Sequence, residues 1–66
     1  MKYLVGTIVL ETGDKVIITW SDGTKTKAVY NDTFGYNHSF TGESGNEIRL
    51  SNRFMQLKGI FIEKDI

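Results

Sequence analysis

Cysteine is absent from these 66 residues, so no disulfide supplements the core and no thiolate binds metal or attacks a substrate. Histidine occurs once, as His38, and a single imidazole cannot build a zinc site. Carboxylates alone favour harder ions, and no metal or other cofactor is expected. An excess of either charge is missing too, because eight basic and eight acidic residues cancel. Nucleic-acid domains usually carry a basic excess, since phosphate neutralisation supplies most non-specific affinity. Nucleic acid is therefore demoted as a partner, though charge segregated by face would restore it. No apolar run approaches the roughly 18 residues of a membrane helix, and no membrane partner is expected. The apolar start, Tyr3 to Leu10, is broken by Gly6 and Thr7 and followed by Glu11. It reads as a first strand over Lys2 to Leu10 rather than a signal peptide, and the expected location is the cytoplasm.

What is present is a run of short β-branched segments separated by glycine-bearing turns, the pattern of a strand meander in one domain over 1–66. A chain of this length buries only about 60% of its unfolded surface. Turn length fixes register. If Asp22-Gly23 alone formed the second turn, Trp20 would face Lys25 and Ile18 would face Lys27, placing lysines among apolar side chains. A three-residue loop, Ser21-Asp22-Gly23 with a left-handed Gly23, pairs Trp20 with Thr24, Ile18 with Thr26 and Val16 with Ala28. One face is then Val16, Ile18, Trp20, Ala28 and Tyr30, and the other carries Lys15, Thr19, Lys25 and Lys27. Burying lysine is costly, so the longer loop is expected. Glu11-Thr12-Gly13-Asp14 does not discriminate in this way. A three-residue loop there puts Leu4, Ile8 and Leu10 on the Trp20 face; a two- or four-residue loop puts Val5, Thr7 and Val9 there. The rejected set is apolar in both cases. It serves either a second half of a barrel core or a partner or self-association surface.

Between Asn31 and Asn46, Phe34, Tyr36, His38 and Phe40 recur at every second residue, which is strand periodicity with rings on one side. Asn46 to Leu50 reads as a further strand. Leu50, Phe54 and Leu57 then fall at helical spacing, with Ser51 as N-cap, Lys58 in the last turn and Gly59 as the stop. A bulged strand is the competing reading. Ile60-Phe61-Ile62 closes the series. The expected fold is all-β: a small barrel of five to six strands with one short helical turn before the last.

The stretch Gly6-Thr7-Ile8-Val9, followed by Gly13-Asp14-Lys15-Val16-Ile17-Ile18-Thr19-Trp20-Ser21-Asp22-Gly23, resembles the opening hairpins of SH3-like barrels of the Tudor type. The resemblance covers the first half of the chain and implies an SH3-like fold. It departs where a methyl-ammonium cage would need aromatic residues, because Thr24-Lys25-Thr26-Lys27 stands there. Oligonucleotide-binding barrels are the other small-barrel alternative.

Catalytic chemistry has little to work with. His38 sits among aromatics, and Asp14, Asp22 and Asp32 lie beside turns that aspartate stabilises through its own side chain. Gly42-Glu43-Ser44-Gly45 has the outline of a backbone clamp for phosphate, but Glu43 would repel the ligand. Asn31-Asp32-Thr33 and Asn37-His38-Ser39 match a glycosylation pattern without a secretory context. The expected function is a non-catalytic adaptor or inhibitor-like module that docks on a protein partner, of the kind a phage or mobile element carries. The candidate contact residues are Phe34, Tyr36, His38 and Phe40, with Lys25 and Lys27. Two alternatives stand beside it. One is a nucleic-acid-binding barrel that stacks bases on the same rings and meets phosphate with Lys25, Lys27, Arg49 or Arg53. The other is a structural subunit whose spare apolar face closes a homo-oligomer. The bland reading of the rings is that they complete the core.

Overall fold

Gly6 makes the first departure from that layout. The computed structural model, which describes residues 2–66, reverses the chain at Gly6-Thr7, with Gly6 at φ 64° and Thr7 at negative φ. That combination in a two-residue loop is the type II′ pattern, which glycine adopts without strain. Lys2–Val5 (β1) and Ile8–Glu11 (β2) thus pair as a hairpin, with Val5 opposite Ile8 and Tyr3 opposite Leu10. The single first strand expected over Lys2 to Leu10 is two strands. Its inward face is Tyr3, Val5, Ile8 and Leu10, a mixture of both expected sets, because the reversal shifts the phase. Leu4 and Val9 stay exposed.

Glu11 to Asp14 is a corner between two sheets rather than a hairpin loop, so neither loop length applies. The Asp14 carboxylate accepts from Glu11 N–H at 2.9 Å and holds the bend. Beyond it, Lys15–Thr19 (β3), Lys25–Phe34 (β4), Asn37–Gly42 (β5) and Glu47–Ser51 (β6) form an antiparallel meander. After the helix Asn52–Lys58 (α1), the last strand Phe61–Lys64 (β7) returns to pair with β3, giving the order β6-β5-β4-β3-β7. The expected barrel does not close. β6 and β7 are the two edges of the five-stranded sheet, and β1–β2 is a separate two-stranded sheet, making seven strands among the described residues. Because the first segment pairs with itself across Gly6, it does not bridge those edges.

The second loop is the longer one. Trp20 N–H donates to Thr24 O at 2.8 Å, Gly23 has φ 89°, and Ile18 lies opposite Thr26 and Val16 opposite Ala28. Val16, Ile18, Ala28 and Tyr30 are buried, while Lys15, Lys25 and Lys27 are exposed. Further along β4 the register slips by a bulge between Tyr30 and Asp32. The extra residue turns both Tyr30 and Thr33 inward. Asn31 itself donates to Thr41 Oγ1 at 2.8 Å.

The helix is bounded as expected: Ser51 Oγ accepts from Phe54 N–H at 3.1 Å, and Gly59 closes it at φ 70°. Its inward residue is Met55, not Phe54 or Leu57. Leu50 belongs to β6, so the helical phase starts afresh at Asn52. The core consists of Val5, Leu10, Val16, Ile18, Tyr30 and Phe40 at its centre, with Ala28, Leu50, Met55, Ile60 and Ile62 around them.

Candidate functional site

The aromatic row is divided by a second glycine reversal. Gly35 has φ 63°, and Phe34 pairs with Asn37 across Gly35-Tyr36. Phe34 ends β4 and Tyr36 caps the tip, 59% and 90% exposed. His38 and Phe40 lie on β5 at 4% and 0% exposure. The four rings do not share a surface: Phe34 and Tyr36 are exposed, whereas His38 and Phe40 are interior. Phe40 packs edge-on against Tyr30, with ring centroids 5.7 Å apart. Lys25 and Lys27 stand at the other end of β4, opposite Thr19 and Ile17, up to about 30 Å along the strand from Phe34. They form no site with the aromatic tip.

Tyr36 instead borders a groove with residues from four other parts of the chain. Tyr3, Thr33, Tyr36, Ser51, Asn52 and Arg53 line it, and His38 lies at its floor; its volume is about 740 Å³. The glycine turn carries Tyr36 over one wall, β1 supplies Tyr3, and the first turn of α1 supplies Arg53.

The floor is a directed chain of hydrogen bonds. Asn52 Oδ1 accepts from Gly6 N–H at 2.7 Å, and Asn52 Nδ2 donates to Leu4 O at 3.1 Å, so backbone groups fix the amide's orientation. His38 Nε2 lies 2.8 Å from that same Oδ1 and must therefore carry the proton. Nδ1 of the neutral ring is then an acceptor, and it takes the Thr33 hydroxyl at 2.7 Å. Thr33 Oγ1 in turn accepts from the Tyr30 hydroxyl. Burial pushes His38 below its ordinary pKa, against a smaller opposing effect of Asn52. A second proton on the imidazole would make Nδ1 a donor and reverse the Thr33–Tyr30 arm of the chain, leaving the Nε2–Asn52 arm as it is. Burial likewise raises Tyr30, outweighing the Thr33 hydrogen bond, so its hydroxyl stays a donor. Among the described residues no buried side-chain polar atom lacks a partner.

These groups fasten structure. They tie the β1–β2 turn to α1 and β5, and leave His38 without a free nitrogen for proton transfer. The groups available to a ligand lie above them: the ring of Tyr36, the hydroxyl of Ser51 and the guanidinium of Arg53. Among the described residues no cluster of three or more His, Asp or Glu could hold a metal ion. Tyr3, Thr33 and Asn52 were not singled out by the sequence. Asn52 follows a capping serine, which marks a helix start and gives no sign of an asparagine reaching back to residue 6. The Gly42–Asn46 turn is no anion clamp, because Ser44 and Gly42 N–H both bond to Asn46. Comparison with family models, with curated proteins and with solved structures found no match.

Proposed function

We propose that this chain is a non-catalytic docking module whose protein partner seats on the groove beneath Tyr36. The observation that carries it is a 90%-exposed tyrosine at a hairpin tip, lining one groove with an arginine, over a floor whose buried polar side chains are all partnered. Tyrosine and arginine anchor interfaces because they bring large area with few rotors and a forked donor. Catalysis is disfavoured by the same floor, whose sole imidazole has both nitrogens engaged. An SH3-like descent belongs to the same proposal. It is supported by the meander β3 to β6, the helical segment and the return of β7 to β3.

The experiment is affinity capture from host lysate with and without nuclease, comparing the parent chain with Tyr36→Ala. A stoichiometric protein that survives nuclease and is lost from Tyr36→Ala is expected. A capture equal in both chains would refute docking at this groove. Nucleic acid retained at low salt only, and dependent on Lys25 and Lys27, would favour the polyanion alternative.

A further inference from the structure

The outer face of α1 extends the groove and gives its occupant a chemistry. At about 100° per residue, Arg53, Phe54, Leu57 and Lys58 fall on one side of the helix and Asn52, Met55 and Gln56 on the other. On the second side only Met55 is buried, while Asn52 reaches back to hold the first hairpin and Gln56 stays exposed. The first set faces outward, with Leu57 72% and Phe54 44% exposed. Apolar side chains on the outside of a surface helix invert the usual amphipathic pattern. Arg53 belongs both to this face and to the groove, so Tyr36, Arg53, Phe54, Leu57 and Lys58 make one continuous surface. Its charge is of one sign. The helix contains no Asp or Glu, and no carboxylate lines the groove. Among the described residues, neither Arg53 nor Lys58 makes an ion pair. What sets them apart from the unpaired lysines elsewhere is that they flank exposed apolar side chains, Phe54 and Leu57, on the same helix.

We infer that this surface takes an acidic segment of a partner protein, with carboxylates on Arg53 and Lys58 and apolar side chains over Phe54, Leu57 and Tyr36. The inference rests on the docking reading above and names the partner's chemistry. Arg53 can hold a carboxylate in a forked pair, and Phe54 and Tyr36 offer apolar area beside it. A polynucleotide fits less well. Two cations neutralise about two phosphates, and Lys25 and Lys27 lie on another face of the domain.

The test is selection of a random-peptide display library on the folded full chain, followed by fluorescence anisotropy with the enriched peptides. Peptides rich in Asp and Glu with interspersed aliphatic or aromatic residues are expected. Their affinity should fall at least about tenfold on Arg53→Glu with Lys58→Glu, and by a similar factor on Leu57→Ser. Leu57 and Lys58 are exposed and outside the core, so the second variant stands in if the charge reversal perturbs folding. Neutral or basic enriched peptides that still need Tyr36 would overturn the acidic class and leave docking in place. Enriched peptides indifferent to Tyr36, Arg53 and Leu57, or no enrichment, would overturn both. Displacement of acidic peptides by a short single-stranded oligonucleotide at matched concentration would assign the surface to nucleic acid instead.

Discussion

The two ends of the β4–β5 hairpin carry the same kinds of residue and do opposite things with them. At the base, Tyr30 and Phe40 are fully buried and meet ring to ring; at the tip, Phe34 and Tyr36 are exposed. Composition does not distinguish the two ends. What does is parity: across a two-residue turn, residue 34 shares a face with residue 37, and residue 33 with residue 38. Every-other-residue spacing therefore continues through the turn while the face it occupies switches. Aromatic residues acquire a role in this domain from where the glycine falls, not from their own chemistry.

The contrast is sharpest at Phe40. Phe40→Ala should cost about 3–5 kcal/mol, comparable to the whole stability of a domain this small, and leave the chain largely unfolded by far-UV circular dichroism. A folded Phe40→Ala variant would put the base of the hairpin on the same footing as its tip. Asn52→Ala comes next. It strips a partner from Gly6 N–H, Leu4 O and His38 together, and about 1–3 kcal/mol should be lost in urea titration. Hydrogen exchange should rise first at Gly6.

A pH series separates the buried ring of His38 from the exposed ones. Its folded pKa lies below its unfolded value of about 6.5, so the unfolded chain binds the proton first. Stability contributed by the neutral ring is fully present above about pH 6.5 and is lost as pH falls from there through the folded pKa. Urea midpoints for His38→Gln should lack that descent; an identical descent in both would place its origin in another group. The smallest effect on folding is expected from Tyr36→Ala, within about 0.5 kcal/mol, alongside loss of partner capture. A Tyr36→Ala chain that is much less stable would make the tip structural after all.

Where one physical cost outweighed its rivals, the sequence was readable. Burying Lys25 and Lys27 would have been expensive, and that alone selected the Ser21–Gly23 loop and the register of β3 on β4. Ser51 and Gly59 bounded α1 because caps answer unsatisfied backbone groups locally. Gly6-Thr7 was not readable, since Leu4, Val5, Ile8 and Val9 offer apolar residues to either face. The groove was hidden for a different reason. It is assembled by contacts such as Asn52 to Gly6 and Leu4, whose partners lie far apart along the chain and leave no periodic trace.

The return of β7 to β3 also orders events in time. Val16 lies opposite Lys64 and Thr19 opposite Phe61, so β3 acquires its second neighbour only after residues 61–64 have been synthesised. On a translating ribosome, β3 to β6 can zip as successive hairpins, but one flank of β3 stays bare until the final strand emerges from the exit tunnel. During that interval Ile17 and Ile18 present an open, aliphatic strand edge to solvent or to a neighbouring nascent chain. Nascent-chain protease protection should therefore rise late, in one step, with the emergence of residues 61–64.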